Sequence, residues 1–229
     1  MYSKNVWKKY QNHDDIMKFN EDYKEFISTS KTERLCVKNA VKLAEANGFV
    51  DIKSVEKLVA GDKVYATNKH KNVALFVIGD KPIEKGLRVL GAHIDSPRLD
   101  GKQNPLYERN DFALLDTHYY GGIKKYQWVT IPLAIHGVVC KKDGSTVEVC
   151  VGEDENDPVV GISDLLVHLS GDQLQKNAAR VIEGEDLDLT VGSIPLNDEE
   201  KSTVKDNVLR ILKEKYDFEE EDFISAELE

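Results

Sequence analysis

Residues Val89 to Asp100 read VLGAHIDSPRLD, an apolar run that meets a histidine, then an aspartate two positions on and a proline two beyond that. In an extended chain, side chains two apart share a face, so His93 and Asp95 are expected to project together. An imidazole beside a carboxylate is a metal-binding pair. One ring nitrogen binds the metal while the carboxylate fixes the tautomer from the other side. Pro97 cannot donate to a ladder and is expected to end the strand, and in open α/β sheets the chemistry collects at such carboxyl ends. A lone H-x-D also occurs where a strand-end histidine is only a hydrogen-bonded surface residue, and spacing alone leaves both readings open.

The other histidines carry less. His118 lies in DTHYYGGIKKY, where Gly121 and Gly122 mark a tight turn, and it is expected to be a loop histidine beside aromatic rings. His136, in an apolar run, is expected to be a hydrogen-bonded core or edge residue, and His168, in DLLVHLS, has the same ambiguity. His13 and His70 sit in polar segments and give no signal. The sequence contains no G-x-S-x-G elbow, no Walker A motif, no strand followed by G-x-G-x-x-G and no H-E-x-x-H, so covalent serine or cysteine hydrolysis has no motif behind it.

Elements must hold these residues in place. Ile16, Phe19, Tyr23 and Phe26 repeat at helical spacing, which predicts an amphipathic helix capped by Asp14 or Asp15. A second helix is expected to start with Ser30 and Glu33 as a capping box, to turn Val37, Val41 and Ala44 inward, and to stop at Gly48. DKVYATNK, NVALFVIG and LRVLGAH then read as strands of a sheet covered on both faces. Beyond Pro97 the pattern becomes mostly β, with a hairpin about Asp143-Gly144, strand candidates at Val159–Ile162 and Leu165–Leu169, and a solvated acidic loop GEDENDP. Val204, Val208, Ile211 and Leu212 predict a helix, and the final DFISAELE alternates like a strand.

Composition bounds the function classes. A chain of 229 residues, 41% hydrophobic and 31% charged, has enough apolar residues for one large domain or two small ones. A net charge of −10 and a pI near 5.2 argue against nucleic-acid or anionic-membrane partners. Cys36, Cys140 and Cys150 form no C-x-x-C pair and are expected to be reduced thiols, although Cys140 and Cys150 are placed to face each other across the hairpin. The amino-terminal segment lacks the apolar core of a signal peptide and no window spans a membrane, so a cytoplasmic location is expected.

VLGAHIDSPRLD, YYGGI at Tyr119–Ile123 and the terminal DFISAELE, in that order, resemble segments of the M18 family of zinc aminopeptidases, the aspartyl aminopeptidase and aminopeptidase I group. Ser96 and Pro97 after Asp95, with the Y-G-G segment downstream, favour this family over the related M42 aminopeptidases, which also carry A-H-x-D. The resemblance implies an α/β fold with residues 1–97 as the amino-terminal part of a zinc-exopeptidase sheet domain. Residues 98–221 would be an inserted, mostly β dimerisation domain, and 222–229 the start of a return strand.

At matching positions the resemblance implies His93 as the first zinc ligand, Asp95 as the acidic residue supporting that imidazole, and His168 as the histidine that reaches a neighbouring subunit's site to assist substrate binding. It implies two zinc ions, peptide substrates and a homo-oligomer. In the family a bridging aspartate, a Glu-Glu pair, a further carboxylate and the last histidine all follow the SAELE segment. This chain is therefore expected to be an amino-terminal portion, inactive alone, because one histidine with one supporting aspartate cannot hold zinc. Two rival expectations are a non-catalytic oligomerisation fragment and a mononuclear site built from His93, Asp95 and either His118 or Glu108.

Overall fold

The computed structural model describes residue 5 and residues 7–10, 12–197 and 203–229. The chain divides at Ser96/Pro97 into two units, each with its own elements.

In the first unit, helix α1 (His13–Thr29) is capped by Asn12, whose side chain accepts from the backbone N–H of Asp15. The expected caps, Asp14 and Asp15, lie instead in the first turn, where their charge complements the helix dipole. Of its predicted stripe, Ile16 and Phe26 are half-buried while Phe19 and Tyr23 face solvent. Helix α2 (Glu33–Ala46) is capped by Thr32, not Ser30, because the Thr32 hydroxyl is the one that accepts from Leu35 N–H. It buries Cys36, Val37 and Ala44. Gly48, with φ of +83°, ends it as expected: Phe49 N–H donates to Ala44 O and Gly48 N–H to Glu45 O, a Schellman closure.

Strands β1 (Val50–Asp51), β2 (Lys63–Asn68) and β3 (Asn72–Val77) follow in spatial order β1-β2-β3, with β1 parallel and β3 antiparallel to β2. Lys69 and His70 both take positive φ and Lys71 N–H bonds Asn68 O, a type I′ turn whose twist suits the hairpin. The expected third run, LRVLGAH, is not a strand. It has no regular structure, and Leu87, Val89 and Leu90 are exposed, as are Leu75, Phe76 and Val77 of β3. An apolar run specifies what a strand would bury, but a strand exists only where a neighbour completes its ladder.

The second unit opens with a long hairpin of β4 (Arg98–Arg109) and β5 (Phe112–Tyr120), interrupted by a register shift between Gly101 and Leu106. Five further strands are β6 (Pro132–Leu133), β7 (Ile135–Cys140), β8 (Thr146–Val151), β9 (Val160–Gly161) and β10 (Leu189–Gly192). Helix α3 (Val204–Tyr216) and strand β11 (Ala226–Leu228) complete the unit. One sheet runs β4-β5-β10-β9-β6 and the other β11-β7-β8. Val139, Val160, Leu187, Phe218 and Phe223 are among the core residues they enclose.

The β7–β8 hairpin turns as expected at Asp143-Gly144, with φ of +85° at Gly144 and the Asp143 carboxylate accepting from the N–H and hydroxyl of Ser145. Its register sets Cys140 opposite Thr146 and Cys150 opposite His136, so the two thiols do not face each other. The second strand candidate, Leu165–Leu169, is an exposed turn in which Leu169 N–H bonds Leu166 O. Helix α3 begins with a capping box of Thr203 and Asp206 and buries Val204, while Ile211, expected inward, is largely exposed. At the chain's end β11 pairs antiparallel with β7, Leu228 opposite Gly137, so this strand lies in a sheet of the second unit.

Two glycines test space against conformation. A Cβ at Gly137 would sit 2.2 Å from Glu227 O and 2.7 Å from Leu228 Cδ2. Gly137→Ala is therefore expected to cost about 1–3 kcal/mol in urea unfolding and to speed hydrogen exchange at the His136 and Glu229 amides, which bond across β7 and β11. Gly48→Ala meets nothing within 4 Å; its expected cost is about 1–2 kcal/mol of left-handed strain, with those amides unaffected.

Asp217, left-handed at φ of +51°, accepts from Lys141 at 2.8 Å and Lys213 at 2.7 Å. The two ammonium groups lower its carboxyl to about 2. The stabilisation from a depressed carboxyl is present above its unfolded value near ~3.9 and is lost as pH falls toward 2. Acid melts are expected to show less destabilisation between those limits in Asp217→Asn than in the parent chain.

Candidate functional site

His93 and Asp95 do come together, though not through strand geometry. The irregular backbone bends so that His93 Nδ1 lies 3.0 Å from Asp95 O and 3.1 Å from Asp95 Oδ1. Both neighbours of Nδ1 are acceptors, which assigns the ring proton to Nδ1 and leaves the Nε2 lone pair available. The imidazole is 84% exposed, so that lone pair faces solvent. This is the arrangement a carboxylate-oriented metal ligand needs. Among the described residues, however, no group of three or more His, Cys, Asp or Glu is placed to hold a metal ion. The residues present thus supply one oriented ligand and do not by themselves form a zinc site, which requires at least three.

The remaining candidates all lie in the second unit. His168 lies in the second unit, at the centre of the exposed turn and flanked by exposed Leu165, Leu166, Val167 and Leu169. His118, expected in a loop, is on β5 opposite Asp100 and stacks on Tyr119 with ring centroids 5.5 Å apart. The β4–β5 pairing extends further along the chain than the glycines implied. Glu108 accepts from Lys205 N–H at 2.8 Å at the start of α3, where a carboxylate meets free helix donors. Neither His118 nor Glu108 belongs to a group of three or more His, Cys, Asp or Glu placed to hold a metal ion among the described residues. His136, on the central strand β7 of its sheet, is hydrogen-bonded as expected, 2.8 Å from Glu153 Oε1.

A cluster that sequence reasoning missed centres on Arg98. Its Nε donates to Asp100 Oδ1 at 2.6 Å and lies 3.6 Å from Glu229 Oε2, a carboxylate only 3% exposed, while its guanidinium sits 4.2 Å from the Tyr120 ring centroid. Gly121, at φ of +80°, packs against Pro97. The segments SPRLD, YYGGI and SAELE, distant in sequence, thus meet at one end of the β4–β5 hairpin. The alternation of Arg98 and Asp100 was visible in the sequence, but the partner at position 229 was not.

Arg98→Ala would remove the cation beside a buried carboxylate. An expected loss of about 3–5 kcal/mol, with exposure of β11 to exchange, is checked by denaturant unfolding and amide exchange. Arg98→Lys is expected to recover only part of it, since an ammonium cannot both stack on Tyr120 and present a planar fork.

The three converging segments all fall inside the stretch that matches a known family. Residues 26–229 match the family described as aminopeptidase I zinc metalloprotease (M18). The chain is 59% identical over 233 residues to a probable M18 family aminopeptidase 1 of Clostridium acetobutylicum, covering 99% of this chain and 50% of that protein. It superposes on the crystal structure of an M18 aminopeptidase from Thermotoga maritima with a TM-score of 0.91 at 46% identity, over 100% of this chain and 50% of that one. The corresponding values for aminopeptidase I from Clostridium acetobutylicum are 0.86 and 57%, over 100% and 52%. The chain spans about half the length of the curated relatives it matches. With nine-tenths of its residues inside the family match, the chain belongs to the M18 family of aminopeptidase I zinc metalloproteases.

Proposed function

We propose that this chain is the amino-terminal half of a zinc-dependent aminopeptidase that releases the first residue of peptide substrates. The observation that carries this reading is the His93–Asp95 pair: Nδ1 is tied down and Nε2 is presented to solvent, within a chain of a zinc metalloprotease family. In this reading His93 is one zinc ligand and Asp95 the residue that orients it. The other ligands and the general base for water come from the half of the longer relatives that this chain does not span. Two zinc ions in the completed site would polarise the scissile carbonyl and activate water. The protein's own part in that chemistry is to fix the tautomer and direction of one ligand.

Residues 98–221 then serve as the inserted dimerisation domain, residues 1–97 as the amino-terminal part of the peptidase domain and residues 222–229 as the start of a return strand, the unit boundary at Ser96/Pro97 supporting the first division. His168 acts across a subunit contact on the neighbour's substrate, a role supported by its place in an exposed, apolar turn suited to burial against a second copy. Among the described residues no helix is long and apolar enough to cross a membrane; the acidic charge disfavours nucleic acid, and the exposed apolar turn around His168 supports a homo-oligomer. The shortage of ligands within these residues favours a second reading, a fragment that oligomerises without catalysis.

One experiment separates the two. The 229 residues alone are expected to bind no stoichiometric zinc and to hydrolyse no aminoacyl p-nitroanilide. Joined to the carboxy-terminal half of the Clostridium acetobutylicum relative, they are expected to gain both. In that fusion Asp95→Asn should weaken zinc affinity by roughly 10–100-fold and His93→Ala should abolish activity. A fusion that binds zinc and works equally well without His93 would sink the proposal.

A further inference from the structure

The second unit contains an apolar cavity of about 140 Å³ that no part of the proposed peptidase chemistry uses. Its floor is formed by Val160, Phe218 and Phe223, all buried, and one wall by Val208 and Leu212 of α3. The cavity exists because α3 is held at both ends. Towards its start, the missing side chain of Gly192 lets Val208 Cγ2 approach to 2.8 Å from where a Cβ would stand. At its end, the Tyr216 hydroxyl donates to Cys150 O at 2.7 Å. Between these anchors Leu212 packs against the core, and a space remains beside it over Val160, Phe218 and Phe223. Protein interiors are otherwise packed with few voids larger than a water molecule.

Polar groups at the rim are already satisfied. Lys215, the charged side chain among the described lining residues, pairs with Asp157 at 3.0 Å, and the Tyr216 hydroxyl is committed to Cys150. Such a space offers water no partners, and an engineered apolar cavity of about 150 Å³ in another protein stays dry and takes up benzene or xenon. The volume is far too small for a helix or strand of a partner. The geometry points to a binding site for a small, neutral, apolar ligand the size of an aromatic ring, entering past the exposed Ile211 and seated on Phe218 and Phe223. The edge-to-face pair of those two rings, with centroids 4.6 Å apart, presents an aromatic floor to it.

Indole titrated into the 229-residue chain, followed by methyl NMR, tests this. Saturable one-to-one binding with Kd on the order of 10⁻⁴–10⁻³ M is expected, with the largest shifts at Val149, Val160 and Leu212. Leu212→Trp, which fills the space from the α3 wall, should weaken binding at least tenfold. Pyrimidine, a polar ring of similar size, should not bind. Should Leu212→Trp fail to fold, the site of the shifts in the parent chain decides. Shifts confined to other surfaces, no saturation up to the solubility limit of indole, or undiminished binding by folded Leu212→Trp would each overturn the inference.

Discussion

One part-buried arginine ties the first strand of the second unit to the last residue beyond β11. Arg98 opens β4 and its side chain must satisfy Asp100 on its own strand, the Tyr120 ring on β5 and the buried Glu229 beyond β11. A carboxylate that is 3% exposed is costly to desolvate, and a cation nearby offsets part of that cost only when the geometry is held. The close approach of Glu227 and Leu228 to Gly137, and the pairing of β11 with β7, supply that hold. The constraint is mutual: the arginine needs the strand in place, and the Glu229 side chain that follows the strand needs the arginine.

Glycines act as spacers elsewhere in the same unit, and what they admit differs. At Gly137 a backbone is admitted, so the position has no tolerance for a side chain. At Gly192 the ends of two valines of α3, Val204 and Val208, are admitted, which fixes how close that helix comes to β10. Packing in this region is thus set by points of closest approach, and the cavity under α3 is the space those points leave.

Much of the local structure was legible in the sequence because local rules decide it. The Schellman closure at Gly48, the Asp143-Gly144 turn and the helix from Val204 each rest on residues within a few positions of one another. The caps were misplaced by two residues or so because several polar side chains compete at each helix start, and only the fold decides which one lies just outside it. The runs at Leu87–His93 and Leu165–Leu169 carry strand-like composition yet form no strand, and the Cys140–Cys150 facing failed by register. Those outcomes depend on what lies alongside, which no local window contains.

The same division holds for the candidate site. His93 and Asp95 are two residues apart, so their contact was within reach of the sequence alone, even though a bend and not a strand produces it. The family, too, was readable from three short segments in order. Only the tertiary structure showed that those segments meet around Arg98, that Glu108 is spent on a helix start and that the described residues provide no third metal ligand beside His93. Residue type and close spacing determine a bond made within a few positions. A bond between positions 98 and 229 is decided by how the intervening chain packs.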